Sequence, residues 1–179
     1  MLTEEEINRI FSWQPYREDW PVDRNKHDDN IVSHYGKLID SLTQNNFFDT
    51  YYSEDGGLGN YLEFICYPIG HKTYIGNAIL VCVSLCSPIV AYGQTGFHKG
   101  IDFTAWGGLF APENIGYIND TALTGIETKI KGILSKQSLV LLDKDFARKP
   151  LPDEVSKNLQ YENHNKGNLY LHGIFQKTD

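Results

Sequence analysis

The chain is poor in the features that announce a chemistry. It has 3 cysteines in 179 residues, with no framework spacing, and 1 methionine. It contains no G-x-S-x-G turn, no H-E-x-x-H, no phosphate-binding loop and no C-x-x-C. The usual signatures of a nucleophile elbow, a zinc protease, a nucleotide cradle and a dithiol redox site are therefore missing. Gly57-Leu58-Gly59 lacks the third glycine of a dinucleotide loop, and it precedes a strand pattern where that fingerprint follows one. Cationic residues are also scarce, 16 Lys and Arg against 23 Asp and Glu, for a net charge of −7. They are scattered, which argues against nucleic acid or an anionic membrane as partner, since phosphate binding needs clustered cations. The start, MLTEEEINRIF, is acidic where a secretory signal is basic. An odd number of cysteines without such a signal leads us to expect reduced thiols in the cytoplasm.

Long apolar runs are absent too. The longest, Ala78 to Tyr92, spans fifteen residues and is broken by Ser84, Ser87 and Pro88. A membrane helix needs about 20. Ile79, Val81, Val83, Ile89 and Val90 are branched at Cβ, so the run reads as a buried strand over Asn77–Cys86. A second strand, or a bent continuation, follows over Ile89–Gln94. On a strand, Cys82 and Cys86 share a face but lie about 13 Å apart. One metal or one disulfide cannot span that gap, and core thiols are expected.

Around this run the pattern is mixed. Thr3 with Glu6 fits a capping box ahead of a helix over 4–12. Ile31, Tyr35, Leu38 and Leu42 form one stripe of a helix over 30–46, ended by Asn45-Asn46. Tyr61–Ile69 alternates with Leu62, Phe64 and Cys66 on one side, and Ile65 stands as an apolar exception on the other. A turn at Gly70-His71-Lys72 implies successive antiparallel strands. A short strand is expected near 101–105 and another over Leu139–Leu142. Thr124 with Glu127 suggests a second capping box, for a helix over 122–136. Leu169, Leu171 and Phe175 alternate with Tyr170, His172 and Ile174, so the chain is expected to close on a strand. With 13% aromatics a disordered chain is excluded. The whole predicts a single α+β domain over 1–179: a mainly antiparallel sheet of about five to six strands, with helices packed mostly on one face.

Candidate functional residues fall in the loops. The segment WQPYREDWPVDRNKHDD, residues 13–29, is a long irregular connection that carries Tyr16 and Trp20. Tyr51, Tyr52, Glu54 and Asp55 lie together before a run of glycines. Aromatic anchors beside carboxylates suit a surface that meets a basic protein. A different reading is a small enzyme or ligand-binding module built around His71, His98 and Asp102, with Ser84 or Ser87 as the nearest nucleophile. No catalytic set, cofactor or metal is called for by spacing.

Several phrases taken together resemble small bacterial immunity proteins of polymorphic toxin systems. They are GGLGNYLEFICY, the strand SLCSPIVAYG, LVLLDKDFARKPLP and the terminal FQKTD. The resemblance covers residues 57–179 in outline. It implies a non-enzymatic, acidic, intracellular protein that binds one cognate toxin and neutralises it. It assigns no binding residue, because no position-specific motif accompanies it.

Overall fold

The central element of the molecule is a hairpin over residues 74–99. In the computed structural model, which describes residues 2–22, 29–52, 60–107, 111–158 and 169–175, strands β3 (Tyr74–Ser84) and β4 (Ile89–Lys99) pair antiparallel. Their register runs from Tyr74 opposite Lys99 to Val83 opposite Val90. Every residue from Ala78 to Pro88's neighbour Ser87 is buried. Pro88 sits in the turn, where its missing N–H takes no ladder bond away. That turn is tied internally: the Ser84 hydroxyl oxygen accepts from the Cys86 N–H at 3.2 Å and from the Ser87 hydroxyl at 3.0 Å.

Strand β2 (Tyr61–Tyr67) pairs with β3, and β1 (Asp49–Tyr52) pairs with β2, all antiparallel. Two short strands share the outer edge of β4. β5 (Thr104–Trp106) pairs antiparallel at Phe97–Lys99, and β6 (Val140–Leu141) pairs parallel at Ile89–Val90. Among the described residues the sheet thus has six strands, in the order β1-β2-β3-β4 with β5 and β6 beyond. The α+β expectation and the strand count agree with this architecture.

Both faces of the sheet are core. Leu62, Phe64, Cys66, Ile79, Val81 and Val83 point to one side, against α2 (Asp29–Thr43) and α3 (Thr124–Leu134). Tyr61, Ile65, Tyr67, Leu80 and Cys82 point to the other, against α1 (Glu4–Phe11), α6 (Tyr170–Ile174) and residues around α4 (Lys144–Ala147). Ile65 is therefore no exception: β2 buries two faces, not one. The two longest helices do share a face, but short ones close the opposite face as well. A further short helix, α5 (Asp153–Asn158), follows α4.

Local chemistry explains most element ends. Thr3 and Glu6 form the expected capping box, with reciprocal bonds of 2.8 and 3.2 Å. Asn45 stops α2: its Oδ1 accepts from the Phe47 and Phe48 N–H groups, and its amide donates to the Leu42 carbonyl. The second capping box does not form. α3 follows directly on a one-turn 3-10 helix, Thr121–Leu123, and the cap lies there instead, where Asp120 accepts from the Ala122 N–H at 2.9 Å. The closing strand is likewise corrected. Apart from an isolated bridge between Leu169 and Pro150, residues 170–174 are helical. Leu171, Ile174 and Phe175 have helical spacing and are buried against α1, a period that outweighs the two-residue alternation. The three cysteines are free and buried. Burial pushes the Cys66 thiol up to about 12, as befits an inert core group.

Candidate partner-binding site

The segment after α1 is held against the β3–β4 turn. Trp13 reverses the chain with a φ of 60°. The Tyr16 N–H then donates to the Cys86 carbonyl at 2.8 Å, and the Trp20 indole N–H donates to the Leu85 carbonyl at 2.9 Å. Val22 enters the core. The rings of Tyr16, Trp20, His34 and Tyr35 stack edge to face in series, at centroid distances of 5.2, 5.0 and 4.6 Å. The series ends at the Tyr35 hydroxyl, which donates to the Ser84 carbonyl at 2.7 Å. Trp20 is thus a strut between the segment and the turn. Tyr16 is half-buried against the core and forms a wall of a cavity.

That cavity, of about 520 Å³, is the most apolar of the larger concavities described. Leu2, Tyr16, Ile89, Val140, Leu142 and Phe146 supply its apolar surface, and Arg17, Asp143, Asp145 and Lys149 stand at its lip. Its placement follows from backbone geometry. Ser138, at φ 54°, turns the chain after α3 into β6. β6 is fixed by bonds of 2.8 Å from the Val140 N–H to the Pro88 carbonyl and from the Leu142 N–H to the Val90 carbonyl. Asp143 then caps α4 by accepting from the Phe146 N–H at 2.8 Å, which brings the Phe146 ring to the cavity. Beside it Val140 is 59% exposed and Leu141 46% exposed. These two large apolar residues are adjacent and lie on an edge strand of the sheet.

The lip charges are engaged to different degrees. Arg17 pairs with Glu6, and the Lys149 ammonium lies 5.2 Å from the centre of the Phe146 ring. Asp145 shares one oxygen with Arg148 at 3.3 Å in an exposed pair, worth little in water. The carboxylates of Asp143 and Asp145 follow directly on the end of β6.

The sequence-predicted residues do not form one patch. Tyr51 and Tyr52 lie on β1, the far edge of the sheet from β6. Tyr51 leans on Phe97 and Trp106, whereas Tyr52 stacks on Phe64 at 4.8 Å, on the opposite face. Both are half-buried packing groups. Glu54 and Asp55 lie outside the described residues. His71 and His98 also separate. His71 packs edge to face on Tyr74, and His98 on Phe103, from opposite sides of the β3–β4 hairpin. Asp102 is an exposed loop residue. Among the described residues no group of three metal-capable side chains converges.

Sequence reasoning missed Val140, Leu141 and Phe146. One signal was present: Leu139–Leu142 offers four apolar residues in a row, more than a short edge strand can bury. No family model, curated protein or solved structure matches this chain. Among the described residues, no helix is long and apolar enough to cross a membrane.

Proposed function

We propose that the chain is a non-enzymatic immunity-type protein that binds a cognate protein toxin and blocks it, and that it docks through the cavity beside β6. One observation carries the choice of surface: a cavity of about 520 Å³ walled by apolar side chains opens next to two exposed apolar residues. Binding energy at protein interfaces concentrates in a few buried aromatic and apolar anchors, ringed by groups that exclude water. Tyr16, Val140 and Phe146 are placed to form such a cluster with an incoming side chain. The net charge of −7 favours encounter with a basic partner and speeds it at low salt. The resemblance of sequence phrases to immunity proteins supplies the class of partner.

The test is to express the product of the neighbouring reading frame alone and together with this chain. Growth inhibition relieved by co-expression supports the reading. No inhibition, or inhibition that the chain leaves untouched, overturns it. Val140→Asp checks the surface. An exposed position tolerates the change within about 0.5 kcal/mol of stability, while binding to the toxin falls at least about tenfold. Unchanged affinity in a folded Val140→Asp protein moves the docking surface elsewhere.

A further inference from the structure

We infer that the far end of the β3–β4 hairpin holds a second site, a small polar pocket that binds a neutral polyol, one ring of a saccharide. The site stands apart from the partner-binding reading. Thr95, in its wall, lies about 17 Å along β4 from Val90, the residue that pairs with Leu141.

The pocket, of about 180 Å³, is lined by Asn77, Gln94, Gly96, Asn114, Tyr117 and Asn119 together with Thr95. Gly96 stands directly opposite Asn77 and two residues along β4 from Gln94, so the three share one face of the sheet. A side chain at 96 would stand between the two amides. Glycine leaves that place open: no atom lies within 4 Å of where its Cβ would be.

Both amides are oriented in advance. Gln94 Oε1 accepts from the N–H groups of Asn119 and Asp120, at 3.1 and 3.0 Å. Its Nε2 is thereby fixed, with two N–H donors unused among the described residues. Asn77 Nδ2 donates to Asp120 Oδ2 at 2.9 Å, which leaves its Oδ1 as an acceptor without a donor. Asp120 is itself held by the Ala122 N–H. The loop that carries Asn114 and Tyr117 is held as well. Gly116, at φ 66°, donates its N–H to the Tyr92 carbonyl at 2.7 Å, and the Tyr117 N–H donates to the Asn114 carbonyl at 3.0 Å. Tyr117 is 54% exposed, and its hydroxyl has no hydrogen bond among the described residues.

This arrangement selects the ligand. A fixed donor beside a fixed acceptor matches two neighbouring hydroxyls, each of which both gives and takes a hydrogen bond. The Tyr117 ring offers its negative π face to the weakly positive C–H groups of a sugar ring. No Lys, Arg, Asp or Glu lines the pocket, so a phosphate, carboxylate or ammonium group would lose water there without gaining a charged partner. The volume is below the range of about 300–1,000 Å³ that holds a drug-sized molecule, and it suits a single ring.

The experiment titrates the full chain, labelled with ¹⁵N, with the methyl glycosides of glucose, galactose, mannose and N-acetylglucosamine. Each is taken to about 50 mM, because one sugar ring should bind with a Kd of about 1–10 mM. The expected result is a saturable shift, with at least one glycoside, of the Gln94 and Asn77 side-chain amide signals and of the Gly96 amide. Gly96→Val fills the gap with a residue suited to a strand, so the fold should persist while affinity falls at least about tenfold. Gln94→Glu keeps an oxygen for the Asn119 and Asp120 N–H groups but replaces the free donor with an acceptor, and the same loss is expected. A lack of shifts with all the glycosides overturns the inference. Unchanged affinity in both folded variants does so too, by placing the sugar elsewhere. Tighter binding of uridine or of inorganic phosphate at the same signals overturns the ligand class. Val140→Asp should leave sugar binding intact whatever it does to toxin binding. Loss of sugar binding in that variant would put the ligand in the cavity beside β6 and sink the second site.

Discussion

The two faces of the sheet are closed by different means. One lies under α2 and α3, helices of 15 and 11 residues whose apolar stripes cross several strands and also touch each other. The other lies under α1, α6 and the turns around α4, short pieces of 8, 5 and 4 residues drawn from both ends of the chain. A helix rises 1.5 Å per residue, so α4 is about 6 Å long and scarcely passes one strand spacing. Short pieces tile a sheet with gaps. The cavity beside β6 is such a gap, between Leu2 before α1, Tyr16 after it, and Phe146 on α4. The face built from long helices is closed, and the face built from fragments is where a cavity opens.

The largest expected effect tests whether this difference is mechanical. Ile130 on α3 and Ile174 on α6 are both almost fully buried, on opposite faces. Truncating a buried Ile to Ala costs about 2–5 kcal/mol, and the cost rises when the surroundings cannot collapse into the space. Ile130→Ala is expected near the top of that range, about 4 kcal/mol, because α3 is pinned along 11 residues. Ile174→Ala should cost about 2–3 kcal/mol, because a five-residue helix can settle inward. Urea unfolding of the two variants gives the comparison. Equal losses would mean that the fragmentary face is packed as firmly as the helical one.

A pair of glycines sharpens the same contrast with smaller effects of opposite sign. A Cβ at Gly173 would lie 2.6 Å from Leu151 Cδ2 and 2.6 Å from Phe11 Cε1. The α6 backbone is that close to its neighbours, so Gly173→Ala overpacks the site and should cost about 1–3 kcal/mol. At Gly132, on the solvent side of α3, nothing lies within 4 Å of the same atom. There Gly132→Ala should stabilise by about 0.4–1 kcal/mol through helix propensity and a less flexible unfolded chain. Thermal melts of both variants decide it. Stabilisation by Gly173→Ala would show that α6 can move off α1 at no cost, so that the small-residue contact sets nothing.

The sequence was readable where one periodicity acted alone. The stripe of α2, the capping box of α1 and the β-branched run of β3 each point to one structure, and each is found. The alternation of β2 marks the strand but not the burial of Ile65, because a single strand does not say whether its second face meets water or another layer. Residues 169–175 fit both periods, and only the neighbouring Phe11 decides for the helix. The candidate site was the least legible part. Tyr16, in a long irregular connection, lines the cavity. Tyr51 and Tyr52 are adjacent in the sequence, yet adjacent strand residues face opposite ways. The exposure of Val140 and Leu141 depends on β6 pairing in parallel with a strand fifty residues earlier, a long-range fact that no local pattern encodes.

The smallest effect concerns how each face is fastened at its entry point, and acid should loosen both. On the fragmentary face Glu6 accepts from the Thr3 N–H and then pairs with Arg17, and these bonds hold its carboxyl below the usual carboxylate range. On the helical face Asp120 accepts from the Asn77 amide and the Ala122 N–H, with the same direction of shift. A carboxylate whose folded pKa is depressed binds fewer protons folded than unfolded. Its stabilisation is complete above the unfolded value, about 3.9–4.3, and fades as pH falls through the lower folded value. Glu6→Gln and Asp120→Asn should each lower the urea midpoint at pH 7, with less loss at pH 3, where the native carboxylates are themselves being protonated. Arg17 also joins the Tyr16 segment to α1, so the Glu6 variant should in addition speed amide exchange at Tyr16, whose N–H donates to Cys86. The Asp120 variant should leave Tyr16 unchanged. If both variants loosen Tyr16 alike, the two faces open as one unit and the fragmentary side has no separate motion.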